Sequence, residues 1–148
     1  MKIRRDKKDA LFSDLVRERA NWTCEACGKQ PERRMLHCAH IFGRRYRSTR
    51  WHPDNAIALC FSCHQHFTDN PTEFSGWVIE RLGGTRGAGY AALRRLSVVV
   101  AKFSKHDLAQ IEADLRAEVG LMANARKAGA RGRIEFDAPR PVAQLEET

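Results

Sequence analysis

Apolar residues recur at helical spacing along most of the chain, and the interruptions delimit the elements. In KDALFSDLVRERA, Leu11, Phe12, Leu15 and Val16 fall three and four apart and predict a short helix within a basic lead-in over residues 1–21. DNPTEFSGWVIERLGG carries a full set of helix signals: Asn70 as N-cap, Pro71 at the first position, Glu73 three residues after the cap, and Gly83 as the stop. Phe74, Trp77, Val78 and Leu82 give that helix one apolar face. Tyr90, Leu93, Leu96, Val100 and Phe103 are in register for a second helix, although the run Val98–Val100 would suit a strand. A third helix opens on the capping signal Ser104-x-x-Asp107 and repeats Leu108, Ile111, Leu115, Val119 and Met122. From Gly129 the periodicity is lost and two prolines intervene, which predicts a mobile tail over 129–148.

Between the first and second of these regions the pattern shortens. LHCAHI (36–41) fits one strand, DNAIALC a partner strand beginning at Asn55, and FSCHQHF (61–67) the start of a helix. The expected fold is therefore α+β and mostly helical, in a single domain of 148 residues: lead-in 1–21, mixed core 22–70, helical extension 71–128 with about three helices in all after the core, and tail 129–148. There is no internal repeat.

Composition narrows the partners. Lys and Arg outnumber Asp and Glu by 26 to 18, a net charge of +8, which favours a polyanion, and DNA leads that class. No apolar run reaches membrane-spanning length and the N-terminus lacks a signal-peptide core, so a reducing cytoplasm is expected, where clustered cysteines bind metal more often than they pair.

The core holds all five cysteines and five of the six histidines. Cys24-x2-Cys27 and Cys60-x2-Cys63 are matched pairs; two such knuckles close a tetrahedron around a structural zinc ion with no open position. Cys38, left over, reads as a small buried hydrophobe. A Cys2His2 finger fails, because the spacing is wrong and His37 and His40 point to opposite faces of a strand.

Cys24, Cys27, AHI (39–41), DN (54–55) and LCFSCH (59–64) together resemble the HNH, or His-Me finger, nucleases with a zinc-bound ββα core. The resemblance covers about residues 12–70 and is nearest to phage-type members, which implies a bacterial or phage-infected host cell. It implies a metal-dependent DNA endonuclease that hydrolyses phosphodiester bonds, with His40 as general base and Asn55 orienting its ring and tightening the loop between the strands. It also implies a divalent ion on His64, Mg²⁺ or Mn²⁺ first, with Ni²⁺ or Zn²⁺ also admitted by a histidine ligand. Many relatives carry a metal ligand immediately before the base and another four residues after the helix histidine; here those positions are Ala39 and Thr68. Either His64 holds the ion with waters and substrate phosphate, or His37 joins it.

Arg44, Arg45, Arg47 and Arg50, interleaved with Tyr46 and Trp51, are the expected contacts to the DNA backbone, with Arg4, Arg5, Lys7 and Lys8 extending the track. His52 reads as a loop residue near DNA, His66 as exposed, and His106 as without a role. The competing reading is a non-catalytic, zinc-stabilised nucleic-acid-binding module. The oligomeric state, monomer or homodimer, stays open.

Overall fold

The computed structural model describes residues 3–83 and 89–147, so the first two residues of the lead-in, part of the helical extension and the last residue of the tail lie outside the described residues. Helix α1 (Lys7–Arg19) begins with a reciprocal capping box in which Asp6 and Asp9 each accept from the other's backbone N–H. After α1 the chain turns through Asn21 and Trp22, both left-handed (φ 53° and 55°), and Trp22 Nε1 donates back to Glu18 at 2.5 Å. Left-handed backbone is costly for so large a residue; that hydrogen bond and the Arg33 guanidinium 4.3 Å from the ring hold it in place.

Strands β1 (Leu36–His40) and β2 (Ala56–Cys60) form a two-stranded antiparallel sheet, Leu36 opposite Cys60 and His40 opposite Ala56, and α2 (Phe61–Asp69) follows β2 without a break. This is a ββα unit. Cys38 and His40 point toward α1, where the Phe12 ring lies 5.8 Å from the His40 ring, and His37 points toward α2. α1 packs on α5 (Lys105–Lys127), so that Phe12, Leu15 and Val16 meet Ile111, Leu115 and Met122 in one core with both strands.

Helix α3 (Pro71–Leu82) starts at Pro71 and stops at Gly83 as its signals predict, but Asn70 does not cap it. Its amide turns back to donate to His66 O at 2.8 Å, closing α2, and Glu73 bonds the exposed His66 ring at 2.9 Å. α4 (Gly89–Ser97) ends six residues before the expected Phe103, because Ser48 Oγ takes the Leu96 carbonyl at 2.7 Å and three β-branched residues follow. Val98 and Val100 are left exposed.

The segment after α5 corrects the expectation of a mobile tail. Ile134 N donates to Arg19 O at 3.1 Å, Phe136 and Val142 are buried in the core, and a further helix, α6 (Arg140–Glu146), places Glu146 against His52. Among the described residues four helices, α3 to α6, follow the ββα unit, where about three were expected. No helix among the described residues is long and apolar enough to cross a membrane.

Because Phe136 stacks edge-on against Phe12 and beneath the Arg19 guanidinium, Phe136→Ala should lose about 3–5 kcal/mol of stability in a urea titration. His106→Ala, at an exposed helix start, should change it by less than about 0.5 kcal/mol.

Candidate functional site

The four cysteines of the two knuckles converge. One sulfur from each of Cys24, Cys27, Cys60 and Cys63 lies within 4.8 Å of the others, and Cys27 and Cys60 are 3.8 Å apart. Four ~2.3 Å zinc–sulfur bonds in a tetrahedron would place sulfurs about 3.8 Å apart, so the cluster fits a structural zinc ion. Each knuckle is built locally. Gly28, at φ 77°, lets its N–H return to Cys24 O while Cys24 N bonds Lys29 O. Cys60 ends β2 and caps α2, its sulfur accepting from Cys63 N at 3.5 Å. Burial would raise the Cys24 thiol, but backbone N–H groups of Cys60, Cys27 and Ala26 outweigh it and bring its pKa to about 7, toward the thiolate that a metal needs.

Sequence reasoning missed Glu25, inside the first knuckle. Its N–H donates to Ala58 O at 2.9 Å and its carboxylate accepts from Ala58 N at 2.7 Å, while Arg81 and Arg133 pair with its other oxygen. The knuckle is thereby docked on the middle of β2. An acidic residue between paired cysteines was the available signal.

The expected chemistry gathers in a groove of about 500 Å³. All five residues of β1 line it, with Arg5, Asp9, Ser13 and Arg17 on the α1 side, His64 on the α2 side, and Arg34 and Arg44 from the segments flanking β1. His40 and His64 therefore meet the same groove from opposite faces of the sheet. His37 joins them: its Nδ1 is 3.4 Å from His64 Nδ1. Two bonds of about 2.1 Å from one ion to two imidazoles, at angles between 90° and tetrahedral, span about 3.0–3.4 Å, so the pair fits a shared divalent ion. Ala39 is buried, and Thr68 donates its hydroxyl to His64 O at 2.8 Å, so neither position supplies a further ligand.

The His40 ring is kept neutral. Burial, then the Arg44 charge, lower its pKa to about 4, against the opposing effects of Asp9 and a hydrogen bond to the Arg50 backbone. Nε2 is buried without a partner. Burial, then the His37 charge, also lower the His64 pKa.

Asn55 meets half of its expected role. Fully buried, its Oδ1 accepts from Phe42 N at 2.8 Å and its Nδ2 donates to Phe42 O at 2.9 Å. Both ends of the amide hold the chain leaving β1, so it tightens the loop and does not bond the His40 ring.

The arginine track is corrected at Arg50. That side chain forms a buried bidentate pair with Asp9, at 2.9 and 2.6 Å, and is not free for a phosphate. Trp51, expected in the same surface, is in the core with Nε1 on Asp9 at 3.2 Å, and His52 is buried between Asp54 N and Glu146. Arg44 lines the groove, while Arg45 and Arg47 stay exposed, lying against Tyr46 and Phe103. Cys38 is partly buried, packed against the core and lining the groove, and desolvation there pushes its thiol up to about 12.

No protein-family model matches the chain, and no curated protein or solved structure does so either.

Two outcomes follow. Purified protein should carry one zinc per chain by elemental analysis, and Cys60→Ser should lose both the metal and the cooperative unfolding transition. For His40, the folded ring resists protonation down to about pH 4 whereas the unfolded ring accepts a proton near 6.5. The stability from keeping it neutral is complete above pH 6.5 and is lost as pH falls toward 4. Denaturation midpoints of His40→Gln should therefore fall less steeply across that window than those of the wild type.

Proposed function

We propose that the chain is a metal-dependent DNA endonuclease of the HNH type. The observation that carries the reading is one groove holding a neutral histidine with an unpartnered buried nitrogen, a second pair of histidines at metal-bridging distance, and four arginines. The ββα unit and its four-cysteine cluster support it, since both are features of the zinc-bound fold that the sequence resembles.

In this reading His40 Nε2 takes the proton of the attacking water. A lone pair whose conjugate acid titrates near 4 is a weak base, but Arg44 contributes to that depression. A phosphate bound to Arg44 would offset its charge and lift the ring toward the neutral range that proton transfer favours. His64 and His37 would hold the divalent ion, which when bound supplies stabilisation of the charge that develops on the phosphate and the leaving oxygen. Two imidazoles suit Mn²⁺, Ni²⁺ or Zn²⁺ better than Mg²⁺, whose preference is for oxygen.

The test is relaxation of supercoiled plasmid with Mg²⁺, Mn²⁺ or Ni²⁺, comparing wild type with a His40→Ala protein shown to retain its zinc. Metal-dependent cutting by the wild type and a loss of about 10²–10⁴-fold in the variant, with DNA binding intact, is expected. Calorimetric Ni²⁺ binding to the zinc-loaded protein should weaken in both His64→Ala and His37→Ala. Absence of cutting with every ion, together with tight salt-sensitive binding, would instead mark a non-catalytic, zinc-stabilised DNA-binding module.

A further inference from the structure

The groove arginines are not spread evenly. Asp9, Ser13 and Arg17 recur every four residues and so form one stripe along α1, with Arg5 in the segment that leads into the helix. Arg17 reaches Leu36 O at 3.5 Å, at the start of β1, whereas Asp9 holds Arg50 and lies near Arg44, by the end of β1 where His40 stands. α1 thus runs antiparallel to β1, and the cations fall into two groups. Arg17 and Arg34 stand at the Leu36 end; Arg5 and Arg44 stand at the His40 end. His37, His64 and His40 lie between them.

Asp9 is the acidic residue in the groove lining, and its charge is already matched by the bidentate Arg50 pair. Burial would raise its carboxyl, but the hydrogen bond and charge of Arg50 hold it below the usual value, so it stays ionised and paired. Of the four lining arginines, Arg17 pairs with the exposed Asp14 and Arg34 with the exposed Glu32, and Arg44 lies 3.7 Å from Asp9; ion pairs to exposed carboxylates are weak enough for a phosphate to displace. The floor suits an extended ligand too: among the described residues β1 pairs only with β2, so its other edge has no strand partner there.

We infer that this groove is a lengthwise cradle for one DNA strand, gripped by Arg17 and Arg34 on one side of the reactive phosphate and by Arg5 and Arg44 on the other. The inference rests on the nuclease reading and specifies how its substrate lies. Four residue steps of strand span about 14 Å, long enough for a strand laid along β1 to place phosphates on both sides of the histidines. A chain gripped on both sides of the histidines is cut internally, not at its end.

The test uses the full-length His40→Ala protein with its zinc, which binds without cutting, and a fluorescent 20-base-pair duplex titrated between 50 and 200 mM salt. Each arginine that neutralises a phosphate contributes about one unit to the slope of log affinity against log salt. Arg5→Ala and Arg34→Ala, one from each end, should each lower the slope by about one unit, and the double variant by about two. Arg131→Ala, exposed and outside the groove, should leave it unchanged. An unchanged slope in the two groove variants, with metal-dependent cutting still seen in the protein that keeps His40, overturns the cradle and leaves the nuclease reading standing. If His40-containing protein cuts no DNA with any ion, the nuclease reading fails; the slopes then still decide whether a strand lies in the groove.

Discussion

Closure of two cysteine pairs 32 residues apart in sequence is the constraint from which the candidate site takes its shape. The ββα unit is too small to bury much apolar surface, and a bound metal would supply folding energy that its side chains alone do not. Cys60 occupies three positions at once: last residue of β2, N-cap of α2 and member of the cluster. Fixing its sulfur fixes the direction in which α2 leaves the sheet and, one turn later, where His64 points. Glu25 extends the constraint inward by locking the first knuckle to Ala58, so the knuckle cannot pivot about its own sulfurs.

A second network governs the other side of the groove. Asp9 gathers Arg50, Trp51 and, more distantly, Arg44. Its two oxygens organise the loop between the strands from a position on α1, and the Arg50 backbone in turn contacts the His40 ring. The closer partner of this carboxylate is the buried Arg50 guanidinium at 2.6 Å, with the groove-lining Arg44 at 3.7 Å, so its charge is spent chiefly on holding the loop.

What could be read from the sequence divides by range. The cysteine pairs, both strands, α2 and the third long helix follow from spacings of two to four residues, and local rules suffice for them. The order of the motif singled out His40 and His64, and the fold brings both to one groove. The errors concern long-range partners. Arg50, Trp51 and His52 read as a solvent-facing basic loop because Asp9 lies about 41 residues upstream and Glu146 lies 94 residues downstream of them. Pattern within a window cannot reveal either. The segment after Gly129 has too few apolar residues to show a period, yet Phe136 and Val142 fill space that α1 and α5 leave open. Asn70 carried a correct boundary and an incorrect bond: its Nδ2 closes α2 on His66 O, and its side chain makes no cap on α3.

The placement of α6 has a consequence for the order of events during synthesis. Glu146 bonds His52, which caps the turn that holds Asn55, and Ile134 bonds the end of α1. On the ribosome, the cysteine knuckles and the ββα unit emerge and can fold while these contacts are still missing. The loop that carries Arg44 and braces His40 becomes fully supported only after residues 134–146 have left the exit tunnel. Maturation of the groove thereby waits on residues 134–146, and a ribosome stalled before that point would display the histidines on a scaffold without its brace.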